Sequence, residues 1–159
     1  MEIRTTNPEL EELIRILAAN NAETTLREFA FQCAKQLREN FIRREGDSHD
    51  ARSYPMPYRN LNRPPTRDET ERIIRIIGIQ KTNDPLAAMY LGYSCIELPS
   101  AQDAANQTAY WAREYTVLKG IQDGVPLDTI NEQVNEVCVL QVKLLRTVIL
   151  FLELGRHVS

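Results

Sequence analysis

Side chains able to do chemistry are few in this chain, and they are scattered. Only two histidines are present, one in the stretch Asp47-Ser48-His49-Asp50 and one, His157, two residues before the last. A Ser, Thr or Cys nucleophile needs a base beside it, so a histidine-dependent site would have to use one of these. Neither position reads as rigid, and Asp-x-His-Asp offers metal ligands without a fixed geometry. His49 is therefore read as a solvated loop residue. The three cysteines, Cys33, Cys95 and Cys138, lie far apart and show no CxxC or Cys/His spacing. The Glu-x-x-His signature of di-iron bundles is missing, and the six glycines are scattered instead of forming a phosphate loop. Glu132 and Glu136 sit one helical turn apart, opposite a row of valines, and read as solvated charges. Asp68, Glu69 and Glu71 match the preference for acids in a first helical turn. No catalytic residue, metal site or cofactor is expected.

Two other groups could bind something. Trp111 and Tyr115, with Tyr90 and Tyr93 one helix away, recur at helical spacing. Such aromatics usually belong to a core, but Tyr90, Trp111 and Tyr115 could also line a ligand pocket. Tyr110 and Phe31 fall off the apolar stripes, which favours an exposed or interface role. The second group is the segment 52–67, which holds four of the eight prolines and four arginines with no acid. Arg52, Arg59, Arg63 and Arg67 alternate with Tyr54, Tyr58, Asn60 and Asn62. Proline forbids continuous helix, so an extended course is expected, within a long loop covering about 45–66. Three readings compete. The segment is a strap across the protein's own helices, or it docks on a protein partner through Arg52, Tyr54, Tyr58, Arg59, Arg63 and Arg67. Alternatively its arginines join Arg38, Arg43, Arg44, Arg72 and Arg75 in a face that binds nucleic acid.

The elements that must position these residues read as helices. Asn7-Pro8 is a cap followed by a proline suited to the first helical position, and Leu10, Leu13, Ile14 and Leu17 follow on one face. Thr25 and Glu28 form a capping box. Leu26, Phe29, Ala30, Cys33, Ala34, Leu37 and Phe41 then keep one apolar stripe, with Arg27, Lys35, Arg38 and Glu39 on the polar side. A second capping box, Thr66 with Glu69, opens a helix that Gly78 stops. Asp84-Pro85 begins another that ends by Pro99. Ser100 with Asp103 starts a helix carrying Ala104, Thr108, Trp111, Tyr115 and Leu118, closed by Gly120 and Asp123-Gly124. The last helix runs from Pro126 or Asp128 to about Leu154. Ile130, Val134, Val137 and Cys138 face inward, and the second half is apolar almost all round. Such a helix is either central in a bundle or covered by a partner.

Length and composition set the frame. A chain of 159 residues, 43% hydrophobic and 26% charged, suits one domain with its own core and no need of disulfides. Net charge is −3, which argues against a wholly basic surface, although residues 1–81 carry 14 basic and 13 acidic side chains, so a local basic face remains open. Free cysteines and the lack of a leader-like pattern at Met1–Thr5 point to a reducing, cytoplasmic setting. Gln141, Lys143, Arg146 and Glu153 interrupt the most apolar stretch and argue against a membrane span. The expectation is an all-α bundle of about five or six helices, one domain over 1–159. By elimination it acts as a non-catalytic interaction module, such as an adaptor, assembly factor or complex subunit, and possesses an apolar helix suited to homo-oligomers. A nucleic-acid-binding subunit and a small helical enzyme or ligand sensor are the alternatives.

Overall fold

The computed structural model describes residues 3–45, 68 and 85–158. Among them the chain is all-α: α1 Pro8–Ala19, α2 Glu23–Glu45, α3 Pro85–Ser94, α4 Ala101–Gln122 and α5 Leu127–Val158, with a 3-10 turn Cys95–Glu97 after α3. No strand occurs among the described residues. The segment 46–67 and the helix expected after Thr66 lie outside this set, apart from a helical Asp68.

Local chemistry explains most boundaries. Asn7 caps α1 by accepting a hydrogen bond from the Leu10 N–H at 3.4 Å, and Pro8 needs no donor there. Ser100 Oγ accepts from the Asp103 N–H at 3.2 Å and starts α4. The Thr25–Glu28 box does not start α2, however. Asn21 adopts a left-handed φ of 58°, the Ala22 N–H reaches back to the Leu17 carbonyl at 2.9 Å, and the chain is helical from Glu23. The short corner fixes the entry and leaves Thr25 and Glu28 inside the helix.

α4 is the central element, packed against α2, α3, α5 and α1. One core joins α1 (Leu10, Ile14), α2 (Leu26, Phe29, Cys33), α4 (Ala105, Ala109) and α5 (Val142, Leu145). A second places Ala34 and Leu37 of α2 against Ala88, Met89 and Tyr93 of α3, Ile96 and Tyr115. Phe31 packs on this cluster and so is half-buried, not an exposed contact. A third holds Val117, Ile130 and Val134. Of the expected stripes, Leu10 and Ile14 of α1 and Leu26, Phe29, Ala30, Cys33, Ala34 and Leu37 of α2 are buried, while Leu13 and Leu17 are half-buried.

Three expectations fail for tertiary reasons. Of the two expected closures of α4, Asp123-Gly124 ends it, with Asp123 as C-cap and Gly124 at φ 72°, whereas Gly120 lies within the helix. The Gly120 hydrogen instead makes room for Ile130: a Cβ there would sit 2.7 Å from Ile130 Cγ1. α5 does not end at Leu154; Gly155 lies within it. Nor is its apolar second half hidden. Val139, Leu140, Leu150 and Phe151 keep 57%, 59%, 58% and 71% of their surface exposed, because only one side of α5 meets α1, α2 and α4.

Gly120→Ala is expected to destabilise the protein. Overpacking against the fully buried Ile130 costs about 1–3 kcal/mol, against a helix-propensity gain of about 1 kcal/mol. Thermal melts of Gly120→Ala beside the wild-type protein check this: a lowered melting temperature is expected, and an unchanged or raised one would show that Ile130 gives way without cost.

Candidate functional site

Sequence reasoning missed the residues around which the structure is most specifically organised. Arg113, on α4, is only 3% exposed. Its Nε donates to the Thr5 carbonyl at 2.6 Å and its Nη1 to Gln141 Oε1 at 2.9 Å. Gln141, buried on α5, donates through Nε2 to the Ala109 carbonyl at 3.0 Å. The same Gln141 Oε1 accepts a second hydrogen bond from Asn7 Nδ2 at 3.3 Å, and Asn7 Nδ2 also reaches the Cys138 carbonyl at 3.1 Å. One amide side chain therefore joins the start of α1, α4 and α5. Both acceptors of Arg113 are neutral, and burial pushes its pKa below the usual arginine value, with the Cys138 thiol, Glu11 and Cys33 acting the other way. The one sequence signal for this node was a glutamine interrupting an apolar run. Arg113 carried no signal, since an arginine among Tyr110, Glu114 and Tyr115 reads as surface.

The thiols beside this node are quiet. Burial pushes the Cys33 thiol well up, with Arg113 only weakly opposing. Cys138 is raised for the same reason, and burial lifts Cys95 to about 11 despite a hydrogen bond with Ser94. A protonated thiol is a poor nucleophile and a poor metal ligand. Among the described residues no group of three or more His, Cys, Asp or Glu is placed to hold a metal ion. No helix among them is long and apolar enough to cross a membrane.

Next to the node is a half-open cavity of about 280 Å³ between α2, α4 and α5. Cys33, Leu37 and Tyr115 form its buried wall, together with the hydrogen-bonded Gln141. Gln36, Asn40, Gln133 and Glu136 form its rim, and Val137, Leu140, Ala112 and Thr116 complete it. The Thr116 hydroxyl donates to the Ala112 carbonyl at 3.1 Å.

Of the expected aromatic group, Tyr93, Trp111 and Tyr115 meet in the second core. Tyr115 also lines the cavity, and Trp111 meets Tyr110 edge-on at 5.3 Å. Tyr90 is on α3, and Tyr93 is in the core. Tyr110 is half-buried, and its hydroxyl donates to Glu114 at 3.2 Å; burial first, and the Glu114 carboxylate second, raise its pKa. The arginine face is also altered. Arg38, expected on a solvent-facing basic surface, is 6% exposed. Arg43 and Arg44 are in the last turns of α2, while Arg72 and Arg75 lie outside the described residues, as do Arg52, Tyr54, Tyr58, Arg59, Arg63 and Arg67. Arg27 acts as a brace, donating to the carbonyls of Ile96, Leu98 and Pro99 at 3.1, 2.6 and 2.8 Å. Glu132 and Glu136 are exposed.

No family model, curated protein or solved structure matches the chain.

Gln141→Met should cost about 1.5–3 kcal/mol, because it leaves the buried Arg113 charge one acceptor short. The double variant Arg113→Met with Gln141→Met should cost clearly less than the sum of the two single changes, since no charge then remains to be satisfied. Urea denaturation of the four proteins in this cycle checks it; additive losses would show the two side chains to be independent.

Proposed function

We propose that the protein is a non-catalytic interaction module that assembles through the outer face of α5, and that the surface it meets is a second copy of itself. The observation that carries this reading is the exposure of Val139, Leu140, Leu150 and Phe151 on one helix. A single exposed leucine is ordinary, but four large apolar side chains on one face mark a contact surface.

The spacing of that face favours a two-fold partner. Val139 and Leu150, like Leu140 and Phe151, are eleven residues apart, close to three helical turns. With Lys143 and Thr147, both exposed between them, the set 139, 140, 143, 147, 150, 151 reads the same in both directions about residue 145. An antiparallel α5 from a second copy would set Val139 beside the partner's Phe151 and Leu140 beside the partner's Leu150. Lys143 would lay its methylenes across the seam and bring its ammonium to the partner's Thr147. A surface that maps onto itself under reversal is what a two-fold interface requires. The Arg146–Glu9 pair at 3.1 Å, exposed on both sides, marks the edge of the face and ties it to α1.

The scarcity of activated side chains supports the non-catalytic half of the reading. Burial raises the pKa of the Cys33, Cys95 and Cys138 thiols, which leaves them poor nucleophiles.

Light scattering on the purified protein at high micromolar concentration should give twice the 18.3 kDa of one chain, with little dependence on salt. Leu150→Glu should give the single-chain mass with an unchanged helical circular-dichroism spectrum, because Leu150 contributes little to the monomer core; Leu150→Met should keep the doubled mass. A wild-type protein of single-chain mass, or a doubled mass that survives Leu150→Glu, overturns the proposal.

A further inference from the structure

The α2–α4–α5 cavity has features of its own that the assembly reading does not use. Its volume of about 280 Å³ falls just under the range of roughly 300–1,000 Å³ usual for drug-sized ligands. The buried wall is already set. Gln141 is held by Arg113, Asn7 and Ala109, so its side chain is not at liberty to swing in and fill the space. Thr116 has its hydroxyl turned to its own helix. A preformed cavity avoids the ordering cost that a collapsible one imposes on a ligand.

We infer that this cavity is a binding site for a small planar organic molecule bearing an amide or amidine group, neutral or singly cationic. The wall and rim define that class. Leu37 and Tyr115 offer an apolar and aromatic surface on which a flat ring packs in offset fashion. The amides of Gln36 and Gln133 face the opening from two different helices, and an amide supplies both donors and acceptors, matching a ligand with both kinds of edge. The charge pattern decides the rest. Glu136 is the one charged side chain among the described lining residues, and no lysine or arginine joins it. Arg113 does not line the cavity and already engages Gln141 and Thr5. An anion entering here would lose its hydration without gaining a cation, whereas an amidinium would find a carboxylate.

Benzamidine, benzamide and benzoate have the same shape and differ mainly in charge and donors, so they separate the causes. NMR titration of the full chain should show saturable binding of benzamidine and benzamide in the millimolar range or tighter. The side-chain NH2 signals of Gln36 and Gln133, assigned with Gln36→Leu and Gln133→Leu, should move in the wild-type protein. Benzoate should bind at least about ten-fold more weakly. Glu136→Gln should weaken benzamidine by up to about five-fold, the effect of an exposed ion pair, and leave benzamide unchanged. Ala112→Leu, which fills the cavity from α4, should abolish both. Benzoate binding as well as benzamidine overturns the charge assignment and with it the ligand class. Failure of all three compounds to saturate, or binding that leaves both glutamine signals in place, overturns the site.

Discussion

A single hydrogen-bonded amide holds the helices of this protein in register. Gln141 accepts from Arg113 and Asn7 and donates to the Ala109 carbonyl, so one side chain on α5 links α4 to the cap of α1. Apolar contacts are non-directional, and the cores around Leu10, Phe29 and Leu145 would tolerate some sliding of one helix along another. A buried guanidinium does not tolerate it. Arg113 reaches the Thr5 carbonyl and Gln141 together only when the N-terminal strand of chain, α4 and α5 stand at one relative height. Polar groups in a core add little net stability but penalise every arrangement that leaves them unpaired.

That constraint also determines which side of α5 is left over. Gln141, Val142, Leu145 and Val148 point into the bundle, which turns Val139, Leu140, Leu150 and Phe151 outward. Rotating α5 to bury the leucines would pull Gln141 away from Arg113 and expose Val142. The exposed apolar face thus follows from the internal polar node. The same geometry opens the cavity beside Tyr115, since Gln141 belongs to its wall and Leu140 lies at once on the cavity and on the outer face. Node, cavity and outer face are three consequences of how one helix is rotated.

The bundle has a second, simpler brace at its other side. Arg27 donates to three carbonyl groups around the 3-10 turn, those of Ile96, Leu98 and Pro99, where the chain passes from α3 to α4. Gly92 lets α3 approach Leu37 and Trp111 closely, since a Cβ there would stand 2.8 Å from Leu37 Cδ2. Close approach and an arginine clasp together fix α3 against α2 and α4.

The sequence by itself determined the helical class, the caps at Asn7 and Ser100, and the buried stripes of α1 and α2. These depend on interactions three or four residues apart, which spacing reveals directly. Tertiary structure decided everything that depended on which neighbour a residue meets. Thr25 and Glu28 satisfied a local capping pattern, yet the tight corner at Asn21 starts α2 earlier. Gly120 resembled a helix stop and is instead a notch for Ile130. The apolar run of α5 was legible as helix, but periodicity cannot say which side of an all-round apolar helix meets the bundle. Arg38, Arg113 and Gln141 looked like residues for solvent and are buried. A side chain's partner across 28 or 131 residues of chain leaves no trace in its local spacing, and those long-range contacts orient α5 and shape the cavity.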